Sequence, residues 1–174
     1  MRYLVLAACN WLKVSTVSSA NSGPVQVLFV DFDGVLHDAN EAAFDFEAHV
    51  LLDNPRLFEH IPLLAEALAP YPELRIVVSS DWQSLFDDAA LVRLLGPLGP
   101  RFSGVTEMRA QTRADSILRC AQRLKLTSWL ALDDNESVVK ASRTDSRFIA
   151  CPSDKGISDA TALRALKKRL AVVV

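Results

Sequence analysis

Cysteine is scarce: three in 174 residues, Cys9, Cys120 and Cys151. The odd number, the wide spacing and the lack of a Cys-x-x-Cys pair or neighbouring histidine cluster argue against a disulfide framework or a structural zinc site. This usage fits a reducing compartment, and a cytoplasmic location is the expectation. Glycine and proline are also few, six and eight residues, which excludes collagen-like and low-complexity chains. Charge of one sign is lacking as well, since 19 basic against 21 acidic residues leave a net charge of −2. That balance implies no broad field for nucleic acid or an anionic membrane, although a local basic groove is compatible with it. No apolar run approaches the roughly 20 residues that span a bilayer.

What remains is an ordinary globular composition, 50% hydrophobic and 23% charged. One domain is expected at this length, burying roughly 70% of its unfolded surface. Residues 1–24 are read as a leader. Tyr3 to Cys9, after Met1 and Arg2, superficially resembles an export or lipoprotein signal, but it falls short of a working apolar region of about 7–15 residues. A Ser/Thr-rich stretch from Ser15 to Ser22 then runs into Gly23 and Pro24, a loop signature. The folded domain is expected over residues 25–174.

From Val25 onward strand-like and helix-like segments alternate. Val25 to Val30, Arg75 to Val78, Trp129 to Leu132 and Phe148 to Ala150 read as buried strands, with a weaker one around Gly104 to Thr106. Helices are expected over Leu57–Leu68, Leu85–Leu95, a segment capped by Thr112 that buries Ile117, Leu118, Ala121 and Leu124, the short Asn135–Ala141, and a last helix capped by Ser158. Its Leu163, Leu166 and Leu170 should point inward and Lys167, Lys168 and Arg169 outward. This alternation predicts an α/β fold, a three-layer α/β/α sandwich around a mainly parallel sheet. Ligands of such sheets bind beyond the carboxyl ends of the strands.

The polar residues of interest fall at those ends. Asp31 and Asp33 follow the first strand directly, and burying them unpaired would cost several kcal/mol each, so they call for a cation or a polar cleft. Gly34 permits a sharp turn there and brings backbone N–H groups toward an anion. Asp133 and Asp134 end another strand, where adjacent carboxylates repel unless compensated. Mg²⁺ takes oxygen ligands and few protein carboxylates, which Asp31 with the Asp133/Asp134 pair can provide. Ser79 and Ser80 end a third strand and can hold a phosphate oxygen. Arg113 opens a helix, from where a guanidinium can fork onto phosphate. Each signal also has a plainer reading: an Asp-rich turn, a helix cap, ordinary turn serines and a surface arginine. His37 reads either as a substrate contact or as a hydrogen-bonded loop residue, His49 and His60 as structural or exposed, and Trp82 as packing before base stacking.

Taken in order, Asp-x-Asp-Gly, Ser, a cation and Asp-Asp resemble the haloacid dehalogenase (HAD) superfamily over residues 25 to about 170. The surroundings of Gly34 to His37, the Ser79-Ser80-x-Trp82 segment and Leu132-Asp133-Asp134 look like a capless branch, similar to HAD domains of RNA-repair proteins and polynucleotide kinase-phosphatases. The resemblance implies a HAD-like Rossmannoid phosphatase of phosphoric monoesters. It makes Asp31 the nucleophile that forms an aspartyl-phosphate and Asp33 the general acid, then base. Mg²⁺ would be held by Asp31, the Asp33 carbonyl and Asp134, with Asp133 the second choice. Ser79, Ser80, Gly34 and Arg113 would surround the phosphate. Two positions depart from the pattern: Arg113 stands where lysine is usual, with Lys125 too far along the helix to replace it, and Gln83 stands where arginine is frequent.

About 45 residues separate the first two motifs and ~33 the next two, too few for a large cap domain. An uncovered crevice admits small esters and macromolecular ends, including a nucleic-acid phosphate; neither a membrane nor an obligate protein partner is indicated. The alternative is a non-catalytic HAD-like module that binds phosphate or protein.

Overall fold

A computed structural model of the chain describes residues 26–41, 43–45, 50–107 and 110–171. The leader and His49 lie outside them. Five strands form one parallel sheet in the order β5-β4-β1-β6-β7: β1 Val27–Val30, β4 Arg75–Val78, β5 Phe102–Val105, β6 Trp129–Asp133 and β7 Phe148–Ala150. The weaker strand expected around Gly104 is thus present, starting at Phe102. A two-stranded antiparallel hairpin, β2 Phe44–Asp45 with β3 Val50–Leu51, follows the first motif.

All four residues of β1 are buried, the signature of a strand covered on both faces. Side chains alternate across a strand, so Val27 and Phe29 enter one core and Leu28 and Val30 the other. The first core is closed by α3 (Arg113–Arg123) and α4 (Glu136–Ala141), through Ile117, Cys120, Ala121 and Val138. The second is closed by α1 (Ile61–Leu68), α2 (Asp88–Leu94) and α5 (Ala160–Ala171), through Leu64, Leu68, Leu91, Leu166 and Leu170. These are the three expected layers.

The differences from the expected elements are local. Helix α1 begins at Ile61 with Pro62 in its first turn, where a missing N–H costs nothing. Residues 81–84 form a 3₁₀ turn, and α2 starts only after Asp87, whose carboxylate accepts from the N–H of Ala90 at 2.8 Å. Leu85 is left outside the helix and exposed. Thr112 caps α3 as expected, accepting from the N–H of Asp115 at 3.1 Å. Leu118, expected inside, is 39% exposed, because it lies off the stripe set by Ile117, Cys120 and Ala121. Ser158 does not cap α5: its hydroxyl donates to the Lys155 carbonyl, and Asp159 accepts from the N–H groups of Thr161 and Ala162 at 2.9 and 3.0 Å. Arg169, expected outward, turns back and donates to the Phe148 carbonyl at 3.0 Å. Lys167 and Lys168 are exposed as expected.

Among the described residues no helix is long and apolar enough to cross a membrane. The strand order reverses beside β1, since the chain adds β4 and β5 on one side and then crosses back to place β6 on the other. Such a switch opens a crevice at the carboxyl ends of the two strands that flank it. Asp31 and Asp133 occupy those ends.

Candidate functional site

Register places the acidic residues together. Val30 pairs with Leu132 in the parallel ladder, and the N–H of Asp31 donates to the Leu132 carbonyl at 3.1 Å. The next residues out, Asp31 and Asp133, are therefore neighbours. On the other flank the Ser79 N–H donates to the Val30 carbonyl at 2.9 Å, which sets Ser79 and Ser80 beside Asp31. Residues far apart in the chain meet because three adjacent strands end at one level.

Carboxylate oxygens of Asp31, Asp133 and Asp134 lie within 4.8 Å of one another. Asp31 and Asp133 are buried, while Asp134 is partly exposed. One Asp31 oxygen accepts from the N–H of Phe32 at 2.7 Å, and the other meets Arg113 Nη1 at 2.9 Å. Asp133 Oδ1 accepts from the N–H of Asn135 at 2.8 Å. Its Oδ2 accepts no hydrogen bond from the described residues and has Arg113 Nη1 at 3.5 Å.

Arg113 is the first residue of α3, and its guanidinium reaches across the crevice. Nη1 also donates to the Ser79 carbonyl, while Nη2 pairs with the exposed Asp81 carboxylate at 3.0 Å. A planar fork spans these partners in a way that a single ammonium cannot. The arginine thus uses its extra reach, with one nitrogen on the nucleophile candidate and the other anchored at the rim. Asp81 was not among the residues expected at the site; its only signal in the sequence is its place just after the two serines.

Electrostatics follow from this packing. Burial, and then the neighbouring Asp31 charge, push the Asp133 carboxyl up to about 8, against the opposing pull of Arg113. Burial also raises Asp31, with Arg113 acting in the opposite direction. Burial works against the Arg113 charge too, yet Asp31, Asp133 and Asp81 outweigh it and hold the guanidinium more firmly protonated than usual. Three clustered acidic groups share one guanidinium, so in the absence of a cation the buried pair holds on to protons.

The donor set suits a hard divalent cation. Its oxygens converge, one buried carboxylate oxygen lacks a hydrogen bond, and oxygen-only ligation is what Mg²⁺ prefers. Gly34 keeps room for the Asp134 carboxylate: its φ is +65°, and a Cβ there would collide with Asp134 Oδ2 and Cγ. Gly34→Ala should therefore push the Asp134 carboxylate aside, besides the roughly 1–2 kcal/mol that a left-handed backbone costs an L-residue. The expected result is a modest fall in thermal midpoint and an affinity for Mg²⁺ roughly 10- to 100-fold below that of the native chain, read by calorimetric titration of the cation.

Asp33 is held from two sides. Trp82 Nε1 donates to its Oδ2 at 2.8 Å, and His37 Nε2 lies 3.0 Å from its Oδ1. His37 is fully buried and packs edge-on against Phe58 and Trp82. Of its two readings, the hydrogen-bonded loop histidine is the one observed. Trp82 is packing, as expected, but its indole N–H also serves Asp33. His60 is structural, with Nδ1 3.2 Å from the Val35 carbonyl.

The Ser79 and Thr106 hydroxyls are buried without hydrogen-bond partners among the described residues. Beside Arg113 opens a cleft of about 190 Å³ lined by Asp81, Gln83, Thr106, Thr112, Ser116 and Asn135. Gln83 thus borders the crevice with an amide where a guanidinium is the frequent choice. Lys125 lies beyond the carboxyl end of α3, away from the carboxylates, which open at the helix's other end.

Comparison with curated proteins and with solved structures gave no significant match. A family model described as the HAD domain in Swiss Army Knife RNA repair proteins matches residues 27–162, from the first residue of β1 into α5. The match contains every residue of the acidic cluster, both serines and Arg113. With the five-stranded parallel sheet and its acidic crevice, that coverage places the chain in the HAD domain family of Swiss Army Knife RNA repair proteins.

Proposed function

We propose that the protein is a Mg²⁺-dependent hydrolase of phosphoric monoesters that works through a phosphorylated Asp31. The supporting observation is the meeting of Asp31, Asp133 and Asp134 at the carboxyl ends of adjacent strands, with Asp33 two residues beyond Asp31. Asp31, Asp134, Asp133 and the Asp33 carbonyl would hold the cation, which when bound supplies charge neutralisation between a carboxylate nucleophile and an anionic phosphate.

The chain's own groups carry the rest. Asp31 Oδ2 attacks phosphorus, forming a P–O bond as the ester oxygen departs with its electron pair. Asp33, with a side chain 41% exposed at the crevice, gives that oxygen a proton and then takes one from the water that cleaves the acyl-phosphate. Arg113 Nη1 passes from Asp31 Oδ2 to an equatorial phosphate oxygen as the ester enters, which frees the nucleophile and offsets the phosphate charge. The partnerless Ser79 hydroxyl is available to a phosphate oxygen. The cleft beside Arg113 receives the remainder of the ester.

A nucleic-acid end is the substrate class favoured by the family's repair context, and among the described residues the insert after the first motif is no more than the short hairpin β2–β3. The ion pair between Arg113 and Asp31 is the observation that favours the second reading, a binding module, because it occupies the nucleophile. Phosphate release separates them. Sugar phosphates, nucleotides, 3′- and 5′-phosphorylated oligonucleotides and phosphopeptides are offered with and without Mg²⁺. Turnover that needs Mg²⁺ and is fastest on oligonucleotide ends is expected. Tight binding of the same compounds with no release at any divalent concentration would leave the binding module.

A further inference from the structure

We propose that Trp82, assisted by His37, is the positioning residue that aims Asp33 for proton delivery to the leaving group; this rests on the hydrolase reading above. Both oxygens of Asp33 are engaged from the protein side, by Trp82 Nε1 at 2.8 Å and His37 Nε2 at 3.0 Å. The two partners differ in kind. An indole N–H only donates, so Oδ2 is fixed as an acceptor whatever Asp33 is doing. The transferable proton is then carried on Oδ1.

His37 must orient that oxygen without taking it over. Its Nδ1 has no partner among the described residues, and a hydrogen placed there would leave a bare Nε2 facing the Asp33 carboxylate, acceptor against acceptor. The tautomer that avoids this carries its hydrogen on Nε2, facing Asp33. His37 therefore donates to one lone pair of Oδ1 and leaves the oxygen's other side toward the crevice.

Neither partner can drift. Trp82 is 5% exposed and makes ring contacts with Phe32, Phe58 and Phe86, with centroids 5.3–5.7 Å apart. His37 sits against two of these rings, 5.1 Å from Phe58 and 6.1 Å from Trp82. Phe32 lies between the two aspartates in sequence and joins this cluster, so packing that holds the rings also holds the turn carrying both carboxylates. The side chain of a half-exposed aspartate is thereby given the rigidity of the core, the preorganisation that general acids need.

The test compares leaving groups. 4-Nitrophenyl phosphate releases a stable phenolate that needs little help from an acid, whereas an alkyl phosphate releases an alkoxide that needs a proton. The ratio of kcat/KM values for the two esters reports the acid step alone, because kcat/KM covers events up to departure of the leaving group. Trp82→Phe keeps a ring in the cluster and removes the N–H. It should shift the ratio against the alkyl ester by roughly 10- to 100-fold. His37→Leu should shift it the same way, and His37→Gln, which returns an amide N–H near the Nε2 place, should bring it back toward the native value.

A second readout does not need turnover. The indole ¹H–¹⁵N signal assigned to Trp82 by its loss in Trp82→Phe should move when Asp33→Asn is made. An equal fall for both esters would mean that Trp82 only supports the fold, and a stationary indole signal would mean that the contact with Asp33 is absent; either overturns the inference. If the native protein hydrolyses neither ester while the indole signal does respond, the hydrolase reading has failed first and takes the catalytic role of Trp82 with it.

Discussion

Asp31→Asn should lower phosphate release by at least about 10³-fold, with the fold intact. The amide has no carboxylate electron pair to offer phosphorus, yet its oxygen can still accept from the Phe32 N–H, the bond that fixes the side chain at 2.7 Å. Loss of rate without loss of structure is therefore the expected signature, checked by initial rates alongside circular dichroism. Asp33→Asn should behave differently. With 4-nitrophenyl phosphate, which needs no acid, attack by Asp31 still proceeds, but water is no longer activated. A phosphorylated peptide containing Asp31 should then accumulate and be seen by mass spectrometry. Native rates in Asp31→Asn would remove this carboxylate from the chemistry and leave the acidic cluster as a binding feature.

The second large effect concerns stability and its dependence on pH. Asp133 titrates at about 8 in the folded protein, raised first by burial and then by Asp31, against about 4 in an unfolded chain. Between those values the unfolded state has released a proton that the folded state still holds. Stability of the metal-free protein should therefore fall as pH rises from about 4 to about 8, and level off above. Asp31, raised in the same direction, adds to the slope. Asp133→Asn removes most of it, so the metal-free variant should melt higher than the native protein at pH 8, by roughly 2–4 °C for each kcal/mol recovered. The same variant should bind Mg²⁺ more weakly, and cation binding to the native protein near pH 7 should release protons. Differential scanning fluorimetry across that range, with and without Mg²⁺, checks all of this; a flat metal-free profile for the native protein would contradict the burial argument.

The acidic residues and the sheet were legible because both depend on local patterns. An apolar run that stops at Asp31 or Asp133 states the strand and its carboxyl end together, and parallel strands then bring such ends to one level. The partners of these residues were not legible, because they depend on contacts with no local pattern. Trp82 and Asp33 are 49 positions apart, and nothing in either segment records that an indole nitrogen faces a carboxylate. Arg113 was legible as a cation at the strand ends, but its second anchor on Asp81 depends on how the start of α3 meets the turn after Ser80. Smaller misses have similar causes. Ser158 and Asp159 are both good caps, and only the geometry of the chain entering α5 chooses between them. Leu118 sits one position from a buried residue, which on a helix is enough to reach solvent. Strands of two residues, such as β2 and β3, are too short to show alternation.

The crossing of the chain from β5 back to β6 has a consequence for how the protein comes to exist. Val27 lies beside Trp129, so β1 cannot gain its second neighbour until about a hundred further residues are available. Closing so long a loop makes that pairing a late, slow event. During synthesis, the first strand must wait with one hydrogen-bonding edge bare, and no early fragment can bring Asp31 together with Asp133 and Asp134. The proposed capture of a divalent ion should therefore arise abruptly, with the docking of the sixth strand, and ion uptake would report that docking directly.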